Sequence, residues 1–144
     1  EEFVLMDDVI KEKISADHLL YVSLKYTKTC DVIVNLLLRW KIMIEMAMKI
    51  LIKRAGKKWK PVPEAPRARL IQLKKIYAGV PEVIEALDLY EIFRNIDKLE
   101  KKRENEFRKG VNLRVFYEGE EININLEKLN EYAKVLERFI SYLK

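Results

Sequence analysis

Several residue types on which sites and frameworks are commonly built are scarce in this chain of 144 residues. Cysteine occurs once, at Cys30, and histidine once, at His18. A single cysteine excludes an internal disulfide framework and a cysteine-based zinc site. The lone histidine lies among apolar neighbours of a predicted helix, which favours a core or boundary position over a catalytic or ligand role. We therefore predict no metal and no cofactor.

Glycine and proline are also rare, with four of each, and all of them lie outside the apolar helical runs. Turns should accordingly be few and the elements long. The four glycines are far apart, so the chain has no glycine-rich phosphate loop, and it contains neither HExxH nor CxxC. The serines have no nucleophile signature around them. We predict no catalytic residue and lean towards a protein that is not an enzyme.

The chain also has no long apolar run free of charge. Its most apolar stretch, 31–55, carries Arg39, Lys41, Glu45 and Lys49 inside any 20-residue window, which argues against a membrane span. The first residues are acidic, where a secretory leader would be basic. Apolar residues make up 49% and charged residues 35%. We predict one folded domain over 1–144, cytoplasmic and not membrane-bound. Abundant Lys, Glu and Ile with a single Gln give a thermophile-like composition.

What the chain does have is the apolar stretch 31–55, which reads as one helix with a narrow polar edge. Polar residues recur at four-residue steps along it, at Asp31, Asn35 and Arg39 and again at Lys41, Glu45, Lys49 and Lys53. Such a helix must be covered on most sides. Thr29 or Asp31 can cap its start, and Gly56 is typical of its end. We predict that it is the central helix of an up-down bundle.

The remaining pattern predicts about five helices in all. The first helix spans 4–27, with an apolar stripe at Ile10, Ile14, His18 or Leu19, Val22 and Tyr26. A short helix follows from Pro66 to about residue 78, and a long, charged one from Pro81 to about residue 109. Alternating residues over 111–125 predict a small β-hairpin, and Asn125 caps a last helix over 126–143. The fold class is therefore all-α, with the hairpin inserted before the last helix.

Positive charge is concentrated in the segment 46–81, which holds ten basic residues and one acidic residue. Cations around a tryptophan suit a phosphate backbone with a base stacked on the ring. The alternative is a solvated loop with Trp59 folded onto the bundle. The predicted nucleic-acid-binding residues are Lys53, Arg54, Lys57, Lys58, Trp59, Lys60, Arg67 and Arg69.

A second basic group lies on the predicted long helix. Its members are Arg94, Arg103, Arg108 and Lys109, which could line a groove. Arg103 falls on the apolar stripe of that helix, so the alternative is a buried structural ion pair, for example with a glutamate of a neighbouring helix. Glu104 and Arg108 are spaced for an i,i+4 pair.

The order of elements over residues 15–109 resembles the HEPN family of small helical bundles. An early helix, SADHLLYVSLKY, precedes a helix rich in small and apolar residues, IEMAMKILIKRAG, and then a proline-containing connection, a short helix and a charged one. The resemblance implies dimerisation and either action on RNA or pairing with a small nucleotidyltransferase. The family's nuclease motif is an arginine followed four to six residues later by a histidine. No histidine follows Arg103 or Arg108, so the resemblance points to a non-catalytic member.

Three functions follow as expectations. The first is a non-catalytic module that binds RNA, DNA or nucleotides. The second is a protein-interaction module, either a homodimer formed through the long charged helix and the hairpin edge or a partner of a nucleotidyltransferase. The third is a divergent RNase that works with Arg103, Glu104, Arg108 and Tyr117.

Overall fold

The structure is a computed structural model that describes residues 2–56, 63 and 65–144. Helix α1 continues through a π-helical turn and the short α2 into one N-terminal rod. The elements in chain order are α1 (Glu2–His18), the π-helical turn (Leu19–Ser23), α2 (Leu24–Tyr26), α3 (Cys30–Ala55), α4 (Pro66–Ile76), α5 (Pro81–Phe93), β1 (Glu100–Glu104), β2 (Asn112–Tyr117), β3 (Glu120–Asn125) and α6 (Leu126–Leu143).

Helix α3 is the centre of the fold, as its sequence predicts. It contacts the N-terminal rod, α4, α5 and β2, and its buried residues recur along its whole length from Cys30 to Leu51. The N-terminal rod runs antiparallel to α3, because Glu2 of α1 pairs with Arg54 at the end of α3 while Glu12 pairs with Arg39 further back. The buried apolar side chains form one continuous cluster.

An aromatic cluster joins three helices at the middle of this core. The rings of Trp40 on α3 and Phe93 on α5 stack with centroids 5.9 Å apart, and Tyr132 on α6 meets Phe93 edge-on at 5.5 Å. Such pairs add about 0.5–1.5 kcal/mol beyond the area they bury. The cluster therefore fixes where α5 and α6 lie against the central helix.

The ends of the helices confirm the predicted caps. The Thr29 hydroxyl accepts a hydrogen bond from the Val32 N–H, and Gly56 ends α3 with a φ of 56°. Pro66 and Pro81 open α4 and α5, where a residue without an N–H costs least. The Asn125 side chain accepts from the Lys128 N–H at 2.8 Å, which caps α6.

The predicted hairpin is present, but it belongs to a three-stranded antiparallel sheet in the order β1-β2-β3. Glu118 and Gly119 form its two-residue turn with φ angles of 50° and 78°, the signs that a type I′ turn requires. The all-α class is therefore wrong in part: the chain is a mostly helical α+β protein with a small sheet before its last helix.

The predicted charged helix from Pro81 to about residue 109 is confirmed as far as Phe93 and is wrong beyond it. Helix α5 ends at Phe93, and the residues predicted to continue it form a turn and then β1. Lys and Glu favour helices only weakly, so backbone pairing of β1 with β2 overrides that preference. The charged side chains suit a sheet edge, where they discourage pairing with other chains. Glu104 pairs across the sheet with Arg114 at 2.9 Å, and the predicted Glu104–Arg108 helical pair is replaced.

The predicted stripe of the first helix is wrong in part: Ile10 and Leu19 pack against the core, but most of the stripe does not. The rod turns Val9, Ala16, Leu20 and Leu24 towards the core. Several apolar residues of the predicted stripe face solvent: the exposed fractions are 64% for Ile14, 41% for Val22 and 79% for Tyr26. Both faces of the rod are apolar, so periodicity alone left the choice between them open.

In the parts of the chain that the structure describes, no helix combines the length and the apolar character needed to cross a lipid bilayer. The cytoplasmic location stays a prediction.

Replacing the cap of α6 tests the local signal at Asn125. We expect Asn125→Ala to lower the free energy of unfolding by about 1 kcal/mol, because the Lys128 N–H loses its acceptor. Urea denaturation followed by circular dichroism measures the change. Asn130→Ala, at an exposed position inside the same helix, is the matched control and should leave stability unchanged or slightly raised. Equal losses in both variants would contradict the capping role.

Candidate nucleic-acid interface

The structure describes only part of the predicted basic segment. Lys57, Lys58, Trp59 and Lys60 lie outside the described residues, and Lys53 is exposed near the end of α3. Arg54 has structural partners: its guanidinium pairs with Glu2 at 2.7 Å and donates a hydrogen bond to the Leu143 carbonyl at 2.5 Å. The cation thus lies at the negative end of α6, a favourable position. Arg54 therefore has a structural role, in joining the end of α3 to α1 and α6.

Two arginines from different elements line one groove. Arg67 comes from the first turn of α4, and Arg94 directly follows the last residue of α5. They share a cavity of about 190 Å³, and neither forms an ion pair with any residue that the structure describes. The side chains lining this groove are Arg67, Leu70, Ile71, Glu91, Arg94, Asn95, Tyr117 and Glu118. We call it the arginine groove.

One of the two carboxylates in the arginine groove, Glu91, is bonded to neighbouring residues. Lys74 lies 2.7 Å from Glu91 and 2.6 Å from Asp88, and the Tyr117 hydroxyl donates to Glu91 at 3.5 Å. Burial by itself would lower the pKa of Lys74, but the two carboxylates outweigh it and raise that pKa above 10.5. Lys74 is thus charged at neutral pH and shares its charge between the two carboxylates. The formal charges of the groove therefore balance, and its two arginines are the lining cations without a carboxylate partner in the described chain.

A second cavity, the α3 cleft, lies on the other side of the α4 start. It has a volume of about 330 Å³ and is bounded by the second half of α3, the first turn of α4 and Tyr90 of α5. Its lining is Ile42, Glu45, Met46, Met48, Lys49, Ile52, Pro66, Arg69 and Tyr90. Arg69 donates to the Pro63 carbonyl at 3.4 Å and has no carboxylate partner in the described chain.

Glu45 and Tyr90 form the polar floor of the α3 cleft. The Tyr90 hydroxyl donates to one Glu45 oxygen at 2.8 Å. Burial and this hydrogen bond raise the pKa of Tyr90, while the nearby positive charges of Arg94 and Arg69 oppose the rise. The cleft and the arginine groove are neighbours, because Pro66 and Arg69 at the start of α4 line the cleft and Arg67 lines the groove.

The second predicted basic group does not stay together. Arg103 lies in β1 and pairs with Asp31 at the start of α3, at 2.5 Å, while Arg108 and Lys109 are exposed between β1 and β2. Arg94 lies near Tyr90, which is hydrogen-bonded to Glu45 of α3. Glu45 lies 14 residues beyond Asp31 on the same helix. At about 1.5 Å per residue, Glu45 and Asp31 are roughly 20 Å apart, so Arg94 and Arg103 lie at different places along α3. The predicted groove of Arg94, Arg103, Arg108 and Lys109 is therefore not one surface.

The residues named for a divergent RNase are likewise separated. Glu104 pairs in the sheet with Asn112, five residues along β2 from Tyr117. Five residues of a strand span about 17 Å, too far for these side chains to act on one bond.

The connection between β1 and β2 forms hydrogen bonds with the backbone at the start of α3. The Glu106 carboxylate accepts from the Cys30 N–H at 2.8 Å, and the Phe107 N–H donates to the Lys28 carbonyl at 2.6 Å. Burial raises the pKa of the Cys30 thiol. A buried thiol with a raised pKa is inert, whereas a reactive cysteine is an accessible thiolate.

The sequence did not predict that Glu45 and Tyr90 are hydrogen-bonded in the cleft, or that Arg67 and Arg94 line the same groove. Glu45 stands out in the sequence only as one member of the polar edge of α3, and nothing local marks its partner Tyr90. Tyr117 was named for a different role. These residues come from α3, α4, α5 and β2, so only the packing of those elements brings them together.

Within residues 2–56, 63 and 65–144, no three His, Cys, Asp or Glu side chains are grouped so that they could hold a metal ion.

No family model matches this chain, and neither the curated proteins nor the solved structures contain a significant match. The likeness to the HEPN family thus stays a prediction that rests on the layout of the sequence.

The Tyr90–Glu45 hydrogen bond should contribute to stability below alkaline pH. We expect Tyr90→Phe to lower the free energy of unfolding by about 1–2 kcal/mol at pH 7. Because the folded pKa of Tyr90 is raised above 10, this contribution is full below pH 10 and declines as the pH rises beyond it. Denaturant titrations at pH 7, 9 and 11 measure the difference. Tyr142→Phe, at an exposed tyrosine of α6, is the control and should show no such loss.

Proposed function

We propose that this protein is a non-catalytic nucleic-acid-binding module that contacts single-stranded RNA through the arginine groove. The observation that carries the proposal is that Arg67 and Arg94, from separate elements, line one cavity and have no carboxylate partner in the described chain. Placing two like charges together costs free energy, and a bound anion offsets that cost. A guanidinium also binds phosphate oxygens in pairs, which suits it to a nucleic-acid backbone.

Neighbouring residues support this reading. Tyr117 lines the same groove and presents an aromatic face on which a base can stack, and Asn95 offers both a donor and an acceptor. The basic segment at 57–60 precedes α4 in the sequence, with five residues between them, and adds positive charge close to Arg67 along the chain. The resemblance of the sequence to HEPN proteins supports an RNA partner, although the charged helix of that layout ends at Phe93, and the missing histidine supports a role without catalysis.

Binding of a labelled single-stranded RNA, followed by fluorescence anisotropy at two salt concentrations, tests the proposal. We expect affinity to fall steeply with salt, and the double variant Arg67→Gln/Arg94→Gln to bind at least tenfold more weakly with a shallower salt dependence. Arg138→Gln/Arg39→Gln removes the same charge from arginines that are ion-paired with Glu85 and Glu12, and should change affinity less.

Unchanged affinity in the Arg67/Arg94 double variant would reject the arginine groove as the interface. Gel analysis of the same mixtures checks whether the protein cleaves the RNA. Intact RNA fits a binding module, whereas cleaved RNA would favour the divergent RNase instead.

A second candidate function, homodimerisation, is favoured by the outer face of the N-terminal rod. This rod face consists of Ile14, His18, Tyr21, Val22 and Tyr26, with Phe107 near its end. Tyr26 is 79% exposed and Phe107 76% exposed, and Phe107 has a φ of 67°, which an aromatic residue seldom adopts. An apolar face of this kind marks an interaction surface. We propose a second copy of the chain as the partner of this face. The rod face replaces the long charged helix as the proposed contact surface, because α5 ends at Phe93.

Light scattering after size exclusion tests this surface. We expect the wild type to elute as a dimer at micromolar concentration, and Val22→Glu to be monomeric because a carboxylate would be buried in the contact. Tyr142→Glu places the same charge on α6, away from the rod face, and should stay dimeric. A wild type that is monomeric throughout would reject the dimer, leaving pairing with a nucleotidyltransferase as the remaining interaction hypothesis.

A further inference from the structure

The Glu45 carboxylate lines the α3 cleft, and only one of its two oxygens accepts a hydrogen bond from the residues that the structure describes. One Glu45 oxygen accepts the Tyr90 hydroxyl at 2.8 Å, and the other accepts no hydrogen bond from any residue that the structure describes. Glu45 also has no ion pair there, although Lys49 and Arg69 line the same cleft. A half-buried carboxylate with a free oxygen at the floor of a cavity is well placed to accept N–H groups from a ligand.

The rest of the lining restricts what that ligand can be. Ile42, Met46, Ile52 and Pro66 give the cleft apolar walls, which suit a flat ring system. Methionine side chains adapt to the shape of such a ring and favour contact with it. Lys49 and Arg69 add two cations to the same lining. A matching ligand therefore combines a planar body, N–H donors at one edge and an anionic group at the other.

We propose that the α3 cleft binds a guanine nucleotide, with the Watson–Crick edge of the base on Glu45 and the phosphate near Arg69 and Lys49. This inference rests on the proposed function, because Arg69 of the cleft and Arg67 of the arginine groove lie two residues apart on α4, and the base would belong to a strand held in the groove. The cleft volume of about 330 Å³ is at the lower end of the range for small-molecule sites and suits one nucleoside rather than several bases.

Hydrogen-bonding chemistry selects guanine among the bases. Its Watson–Crick edge offers two adjacent donors, N1–H and N2–H, to a carboxylate. Adenine and cytosine each place a ring nitrogen lone pair beside their amino group, and that lone pair would face the carboxylate. Uracil has a single N–H between two carbonyl oxygens. A site built to accept donors rejects ligands that lack them, because its polar group is then left unpaired.

The test is calorimetric titration of the full chain with 5′-GMP, 5′-IMP and 5′-AMP. We expect GMP to bind at least tenfold more tightly than AMP, with IMP, which lacks the N2 amino group, in between. Glu45→Gln keeps an acceptor for the Tyr90 hydroxyl but loses the carboxylate, so it should remove the preference for GMP. Glu127→Gln, at an exposed carboxylate on α6, is the matched control and should keep it.

The same variants are then titrated with an RNA oligomer that contains guanines and with one in which adenines replace them. Preference for the guanine oligomer in the wild type and its loss in Glu45→Gln would support the proposal. Salt-dependent binding without any base preference would overturn the guanine site and leave the arginine groove intact. GMP binding without RNA binding would keep the guanine site and overturn the proposed function. Absence of both would overturn both.

Discussion

The need to cover α3 on nearly every side is the constraint on which the rest of the structure depends. Its buried residues recur from Cys30 to Leu51, so no single neighbouring helix could cover them. The N-terminal rod covers one side, and the ring contacts of Trp40 with Phe93 and Tyr132 bring α5 and α6 to another. The sheet protects the start of α3, where Glu106 and the Thr29 hydroxyl satisfy its first N–H groups.

Cover is least complete along the polar edge of α3, where the short α4 packs. There Glu45 and Lys49 border a cleft instead of a packed interface. The arginines divide in the same way. Arg39, Arg54, Arg103 and Arg114 hold elements together through carboxylates, whereas Arg67, Arg69 and Arg94 around α4 have no carboxylate partner in the described chain. The proposed RNA contacts and the proposed guanine site both follow from this division of charge.

Much of the fold could be predicted from the sequence because its signals are local. The apolar run before Gly56 identified the central helix, and Pro66, Pro81 and Asn125 identified three helix starts. Alternation over β2 and β3 identified the hairpin. Each of these signals comes from a few residues close together in the sequence. They are a helix cap, the fixed φ of proline, and the spacing of apolar residues at two residues in a strand or 3.6 in a helix. No distant contact is needed to interpret them.

Only the tertiary structure decided the features that depend on distant partners. The segment 100–104 has a helical composition, and pairing with β2 makes it a strand. The rod has two apolar faces, and packing on α3 selects the one with Val9 and Ala16. The basic residues were recognisable, but residues from four elements make up the groove and the cleft. By itself, the sequence determined which residues carry charge and where three of the helices start. Long-range packing determined where α5 ends and which of those charges meet, because backbone pairing and burial outweigh weak local preferences.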